Sequence, residues 1–244
     1  MFIRIIQSEW LKFRKSNIWF LLFVSPLLST FFGLTANISE MQGVEWHYLL
    51  SIMVFPHGLL FLPLLTGVFS AFVARYEHQG GGWKQLLALP VSRGQVFLAK
   101  GTVVMAFLAI TQLLLFIGWC VAGVVQGVDS PIPWTLGLKG AFGGLLACLP
   151  LVALQLWVST AWASFAAPLA VNVIFTLPNI LVVNSEKYSP FYPWVQPLLT
   201  MLSVGDGKGN EFFYIPMETL LYVILGSFVI FLCCGLLYFQ KKAV

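Results

Sequence analysis

Six stretches of this sequence are too long and too apolar to belong to a water-soluble domain. Each approaches or exceeds the roughly 20 residues that a helix needs to cross the hydrocarbon core of a bilayer. Only 9% of the 244 residues are charged, against about a quarter in a typical soluble domain. The sequence therefore predicts one all-α integral membrane domain over 1–244 with six transmembrane helices, at 18–38, 48–74, 101–125, 140–160, 163–184 and 219–239.

Basic residues gather in three regions that six crossings place on one side of the membrane. These regions are the segment before the first span, the segment between the second and third spans, and the end of the chain. The positive-inside rule places such regions in the cytoplasm, so both termini are expected to be cytoplasmic. The residues concerned are Arg4, Lys12, Arg14, Lys15, Arg75, Lys84, Arg93, Lys100, Lys241 and Lys242.

The segment before the first span, residues 1–16, has the periodicity of an amphipathic helix. At about 100° per residue its apolar side chains fall within one sector, while most of its cations spread over the opposite side. This pattern is typical of a helix that lies in the membrane interface with its apolar face towards the lipid. The alternative is an ordinary basic flank of a membrane span. The predicted interfacial face comprises Phe2, Ile3, Ile6, Trp10 and Phe13.

A patterned polar segment, residues 76–95, interrupts the apolar sequence between the second and third spans. Glycine is unfavourable inside a helix, so the run Gly80–Gly82 is expected to end the second span. A short amphipathic helix is predicted from Trp83 to Leu89, with Pro90 ending it and Ser92 able to cap the next helix. Such an exposed helix suits docking into a groove of another protein. Composition alone favours a solvated connecting loop.

The run from Glu77 to Arg93, followed by Lys100, resembles the signature loop of permease subunits of ABC-2-type exporters. It is most similar to the branch that protects cells against lantibiotics and bacteriocins. Chain length, six spans, the amphipathic leader and the long external loop at 185–218 agree with this resemblance over the whole chain. The resemblance implies that residues 76–95 form a coupling helix that contacts a separate ATPase subunit. The implied contacts are Glu77, Trp83, Lys84, Leu86, Leu87, Leu89, Pro90 and Arg93.

The resemblance also implies the partners and the location of the protein. They are an ABC ATPase dimer that binds ATP and magnesium, a second permease copy or a paralogue, membrane lipid and an amphipathic peptide cargo, with no nucleic acid. The location is the bacterial cytoplasmic membrane. The chain lacks a phosphate-binding loop, because the nearest segment, 205–209, has neither the spacing nor the hydroxyl. We therefore expect no enzyme activity, catalytic residue, cofactor or metal in this chain.

Uncharged polar residues inside the spans are possible contacts along a substrate path. Alternatively, they hydrogen-bond the helices to one another, and the sequence leaves both roles open. The aromatic external loop at 185–218 is equally open, because it could form an exit for the cargo or anchor the last span. The motifs Gly123-x-x-x-Gly127 and Gly140-x-x-x-Gly144 allow close helix packing within the chain or in a dimer. The candidate path residues are His57, Gln112, Gln155, Asn172, Asn179, Trp194 and Phe213.

These features together predict the permease subunit of an ATP-driven exporter. Its expected cargo is an amphipathic peptide, such as a lantibiotic or bacteriocin, or a lipid-like antibiotic. The main alternative is a membrane sensor subunit that binds such a ligand without net transport. A secondary carrier is a further alternative, but the predicted spans contain no Asp or Glu that could couple transport to an ion.

Overall fold

The computed structural model describes residues 2–41, 43–79, 81–203 and 216–242, and its regular structure there is helical. The first half contains α1 (Phe2–Phe13), α2 (Ile18–Thr35), α3 (Glu45–Pro56), a π-helical turn (His57–Phe61), α4 (Leu62–His78), α5 (Gly82–Leu87) and α6 (Arg93–Val125). The second half contains α7 (Trp134–Ala147), α8 (Leu149–Ala161), α9 (Ala166–Thr176), α10 (Asn179–Val182), a 3₁₀ turn (Ser189–Phe191), α11 (Gln196–Leu202) and α12 (Met217–Lys241).

Within the described residues, five helical segments are long and apolar enough to cross a membrane. They are Ile18–Thr35, Glu45–His78, Arg93–Val125, Trp134–Ala161 and Met217–Lys241. The sequence predicted a sixth span at 163–184, where the structure instead has the two shorter helices α9 and α10. Pro178 lies between them and has no N–H to donate to a carbonyl of the preceding turn, so the helix is interrupted there.

The helix α6 runs through the centre of the bundle. It packs against α1 and α2 on one side and against α4, α7 and α8 on the others. Phe107 and Trp119, on α6, are among the largest fully buried side chains. The helix α12 packs mainly on α8, next to α6.

One glycine of each motif, Gly123 and Gly144, serves packing inside the chain. A Cβ atom at Gly123 would lie 2.2 Å from the Trp46 ring, and one at Gly144 would lie 2.4 Å from Gln112 Nε2. Both contacts are far closer than real Cβ contacts, so a larger residue at either position would force the facing Trp46 or Gln112 side chain to move. This resolves the alternative left open by the sequence for Gly123 and Gly144 in favour of contacts between helices of the same chain.

The N-terminal helix presents a different face to the bundle from the one that its apolar stripe predicted. Its buried residues are Ile5, Glu9 and Phe13. The Trp10 and Phe13 rings pack on Phe107 of α6, at centroid distances of 5.3 and 5.5 Å. The Phe13 side chain is fully buried, so the prediction that it faces the lipid is wrong, whereas Phe2, Ile6 and Trp10 are only partly covered by the protein. The inward face includes a carboxylate, Glu9, because Lys100 of α6 and Lys12 of the same helix neutralise it.

Candidate functional site

The polar segment predicted at 76–95 folds as a short helix, α5, that turns back on the end of α4. Gly81 begins this turn with a left-handed φ of +75°, a conformation that glycine adopts without strain. A Cβ atom at Gly82 would lie 2.8 Å from the Glu77 Cα, so α5 approaches the α4 backbone closely. The Ser92 hydroxyl accepts a hydrogen bond from the Gln95 N–H at 3.2 Å and caps α6, which confirms the prediction for Ser92.

Trp83 is the side chain that fixes α5 to the bundle. It is only 6% exposed, and its ring meets Phe239 of α12 at a centroid distance of 5.1 Å. Its indole N–H donates to His78 Nδ1 at 3.2 Å. Because an indole nitrogen can only donate, His78 Nδ1 must accept. The other nitrogen, Nε2, lies 2.8 Å from the Ser159 carbonyl and must carry the proton to donate to it.

Arg93 ties the start of α6 to the end of α12. Its guanidinium Nη1 lies within 2.6–3.2 Å of the backbone carbonyls of Phe239, Gln240 and Lys242. The last carbonyls of a helix have no partner within the helix and carry partial negative charge. A guanidinium at this position therefore stabilises the end of α12, and Arg93 acts inside the chain.

Four buried or half-buried charges form a closed ring between α1, α4 and α6. Lys100 Nζ lies 2.8 Å from Glu9 Oε2 and 2.7 Å from Glu77 Oε2, and Lys12 Nζ lies 2.5 Å from the other oxygen of each carboxylate. Lys100 Nζ also donates to the Val73 carbonyl at 3.0 Å. Two ammonium and two carboxylate groups compensate each other fully, which buried charges require.

The ring holds Lys12 in its charged form although this side chain is partly withdrawn from water. Burial lowers the pKa of Lys12, but the Glu9 and Glu77 carboxylates raise it by more, so the net pKa lies above the ordinary value. The ring also touches α5, because Lys100 Nζ lies 5.6 Å from the centre of the Trp83 ring. The position of α5 is thus linked to α1 as well as to the helices beside it.

The outward surface of α5 and the turn after it consists of other residues. Lys84, Gln85, Ala88, Leu89 and Pro90 are exposed to solvent, and Leu86 is half-buried against the core. The side chain of Leu87 lies outside what the structure describes.

The predicted contact residues therefore separate into two groups. Glu77, Trp83 and Arg93 are engaged within the chain, and their direct contact with a partner stays a prediction. Lys84, Leu89 and Pro90 face outwards and Leu86 lies between the two groups. Glu9 and His78 were not among the site residues predicted from the sequence. A signal for Glu9 was available, since it lies next to the apolar sector of α1 rather than opposite it.

Four of the polar residues predicted to line a path come together in a second cluster. Pro63 has no backbone N–H, so the Leu59 carbonyl, four residues earlier, lacks its usual helical donor. Asn179 Nδ2 donates to that carbonyl instead, at 2.7 Å. Asn179 also binds the Trp194 carbonyl at 3.0 Å. The Asn172 side chain accepts from Gln155 Nε2 at 3.0 Å and from the Trp194 indole at 2.9 Å.

This second cluster is buried, and its hydrogen bonds join helices. Asn172 Nδ2 donates to the Pro63 and Leu64 carbonyls at 3.0 and 3.2 Å, and a Cβ at Gly67 would lie 2.2 Å from this nitrogen. The bonds made by Gln155, Asn172, Asn179 and Trp194 thus fit the alternative role of holding the bundle together. His57 and Gln112 lie apart from this cluster, and Phe213 is outside the described residues.

Two comparisons with known proteins agree with this architecture. The sequence model of the family described as "ABC-2 family transporter protein" matches residues 5–179, which include most of α1, all of α2 to α9 and the whole segment 76–95. The chain is also 22% identical to the bacitracin transport permease protein BCRB of Bacillus licheniformis, over 72% of this chain and 83% of that protein. The chain therefore belongs to the ABC-2 family of transporter proteins and is a transporter permease subunit, a multi-pass protein of the bacterial cell membrane.

Proposed function

We propose that this chain is the membrane subunit of an ATP-driven exporter and that it carries an amphipathic peptide antibiotic out of the membrane. The observation that carries the proposal is the placement of α5. This short helix has an exposed outer surface and is joined on its inner side to the ends of α4 and α12. Five residues separate it from the start of α6. A displacement of α5 would therefore move three long helices together.

The proposed contact with the ATPase is the exposed surface made by Lys84, Gln85, Ala88, Leu89 and Pro90. In this arrangement Leu89, which is 55% exposed, is the apolar anchor. Lys84 gives orientation more than affinity, as charges at the rim of an interface do. The ATPase dimer would bind ATP and magnesium, and a second permease copy or a paralogue would complete the transporter.

The mechanism follows from the connections of α5. When the two ATPase subunits close on ATP, they push on α5, and Trp83 transmits this movement to α12 through Phe239. His78 and Ser159 transmit it to α8. The ion-pair ring carries the same movement to α1, so the helix ends shift as one body. Access to a path between two permeases then changes from one side of the membrane to the other.

An amphipathic peptide is proposed as cargo because of the similarity to a bacitracin transport permease. The lack of carboxylates in the central part of the spans also fits a carrier driven by ATP rather than by ion coupling. Glu77 belongs to the continuous helix from Glu45 to His78, but it is occupied in the ion-pair ring.

We further propose six membrane crossings, with the fifth made by α9 and α10 and with both termini in the cytoplasm. Hydrogen bonds and ring contacts bring the end of α1, the segment 76–95, the end of α8 and the end of α12 together.

In a variant without native cysteines, Gln85→Cys should react with a membrane-impermeant maleimide only after permeabilisation of cells. Asp129→Cys, on the opposite side, should react in intact cells. The reverse pattern would refute the orientation.

Replacement of Leu89 with glutamate should release the ATPase subunit from the permease. A charge at the apolar centre of an interface removes an anchor whose truncation typically costs at least about 2 kcal/mol, so the affinity should fall by about 30-fold. Co-purification of the two subunits from detergent measures this effect. In the wild-type complex, bacitracin should stimulate ATP hydrolysis.

The matched control for this experiment is Ser164→Glu. Ser164 is also exposed and lies in the turn after α8 at the same end of the bundle, so this variant should retain the ATPase. Retention of the ATPase by Leu89→Glu at wild-type stoichiometry would contradict the proposed contact surface. A wild-type complex whose ATP hydrolysis ignores bacitracin would instead point to another cargo or to a sensor subunit.

A further inference from the structure

A small notch opens on the surface where α4 and α8 end and α9 begins. The segments Glu45–His78 and Trp134–Ala161, which are long and apolar enough to cross a membrane, both end here, so the notch lies at the level of the lipid headgroups. Its volume is about 200 Å³, part of which is open to the surroundings. Only about 10 Å³ of this space admits a group as large as water, which is the room that one oxygen atom needs.

Ser159, on the last turn of α8, brings an unpartnered hydroxyl to this notch. The residue is only 2% exposed, and its Oγ has no hydrogen-bond partner among the described residues. A serine hydroxyl inside a helix can bond back to the carbonyl four residues earlier, as Ser227 does to Val223, but Ser159 does not. The Ser159 carbonyl is already bound by His78. The hydroxyl is therefore available to an acceptor that enters the notch.

A positive charge without a carboxylate partner lines the same notch. The Arg75 guanidinium carbon lies 5.1 Å from the centre of the Phe165 ring, and the described part of the chain gives Arg75 no ion pair. Phe165 precedes the first residue of α9, and no side chain caps that helix. The first N–H groups of a helix have no partner within it and carry partial positive charge. Two positive groups therefore meet at one wall of the notch, and an anion would neutralise both.

The surroundings of the notch favour a lipid phosphate over a soluble anion. Trp162, which also lines the notch, is 47% exposed, and tryptophan is enriched at the headgroup level of membranes. The outer face of α9 is apolar and uncovered, since Val173 and Ile174 are 41% and 63% exposed. Acyl chains can pack along this face. Basic pockets between transmembrane helices on the cytoplasmic side are typical sites for anionic headgroups.

We propose that this notch binds the phosphate of an anionic phospholipid such as phosphatidylglycerol. One phosphate oxygen enters the notch and accepts a hydrogen bond from the Ser159 hydroxyl. Arg75 and the first N–H groups of α9 hold the oxygens that stay at its mouth, and the acyl chains lie along α9. The site lies at the end of the bundle for which the cytoplasmic side is proposed above. It does not depend on the transport function or on the identity of the cargo.

Native mass spectrometry of the purified, delipidated permease tests the site. The first dioleoyl phosphatidylglycerol molecule should bind at least about tenfold more tightly than dioleoyl phosphatidylcholine. Arg75→Gln and Ser159→Ala should each lower the affinity for phosphatidylglycerol by about tenfold, as expected for the loss of a hydrogen bond to a charged group. An unchanged affinity in Ser159→Ala would mean that water alone fills the notch, and it would overturn the site.

Matched controls remove the same groups elsewhere. Ser70, on α4, is also fully buried with an unpartnered hydroxyl among the described residues, but it does not line the notch, so Ser70→Ala should keep the affinity. Arg14→Gln removes an exposed cation beyond the end of α1 and should keep it too. An equal loss in Arg14→Gln would reduce the effect to general charge attraction and overturn the site.

Two further measurements separate the lipid from a soluble anion and from a folding defect. An excess of inorganic phosphate should leave phosphatidylglycerol bound, and displacement by phosphate would overturn the lipid assignment. Phosphatidylglycerol should raise the unfolding temperature of the wild type, because a ligand that binds only the folded state stabilises it. The same lipid should have no such effect on the Arg75→Gln and Ser159→Ala double variant. Without lipid, Ser159→Ala should unfold like the wild type, because its hydroxyl has no partner among the described residues.

Discussion

Lys100→Met is expected to destabilise the permease strongly, by about 3–5 kcal/mol in the free energy of unfolding. Lys100 is fully buried and pairs with both Glu9 and Glu77. Methionine matches the length of the lysine stem, so the main change is the loss of one ammonium group from the ring. Lys12 alone then faces two carboxylates, of which Glu9 is fully buried. Thermal unfolding of the purified permease in detergent, followed by tryptophan fluorescence, measures the loss.

The ring supplies matched controls for this prediction. Lys12→Met removes the other ammonium, but the Lys12 side chain is 24% exposed, so water reaches this position and the loss should be smaller. Glu9→Gln combined with Lys100→Met restores charge balance, so the double variant should be more stable than Lys100→Met alone. A double-mutant cycle would measure this difference as a coupling energy between Glu9 and Lys100. A Lys100→Met permease that unfolds at the wild-type temperature would show that the ring does not stabilise the fold.

The long spans could be predicted from the sequence because they follow from the average hydropathy of about 20 consecutive residues. A helix that crosses the hydrocarbon core must be predominantly apolar, and the sequences of α6 and α12 meet this condition by themselves. The interruption near Pro178 is a local effect of one residue, and a hydropathy average over 163–184 does not register it. The continuous helix from Glu45 to His78 extends a few residues beyond each end of the predicted span 48–74 and ends just before the glycine run at 80–82.

The inward face of α1 could not be predicted because it depends on a residue 91 positions away. Periodicity assigns Trp10 and Phe13 to the lipid, since the nearest apolar medium along the chain is the membrane. In the fold, α1 packs against the apolar surface of α6 instead. The same helix supplies Lys100, whose ammonium group pairs with Glu9. A charged residue beside an apolar stripe is therefore a useful sign that a helix packs on protein.

The resemblance to a permease family identified the segment 76–95 but did not show which side of α5 faces outwards. An apolar residue on a short helix can anchor it to its own protein or to a partner, and the local sequence is the same in both cases. Trp83 takes the first role because Phe239 and His78, from α12 and α4, lie beside it. The positions of these two residues relative to Trp83 are a property of the folded bundle.

Trp83→Ala is accordingly expected to weaken the permease itself. Truncation of a buried tryptophan typically costs about 3–5 kcal/mol, and this one also loses its bond to His78 and its contact with Phe239. Thermal unfolding should register the loss in the absence of any ATPase. Trp83→Phe keeps an aromatic ring against Phe239 but not the indole N–H, so its loss should be about 1–3 kcal/mol. Leu89→Ala, at an exposed position, should unfold like the wild type.

The same three variants distinguish an internal anchor from a partner contact when ATPase binding is measured beside stability. For an internal anchor, Trp83→Ala should lose both stability and the ATPase, because α5 is no longer held in place. Leu89→Ala should weaken ATPase binding with its stability intact. If Trp83→Ala instead unfolds like the wild type and yet releases the ATPase, Trp83 is a direct contact as the sequence predicted. In that case α5 must turn over when the ATPase binds, and its inner connections to Phe239 and His78 would belong to the free permease alone.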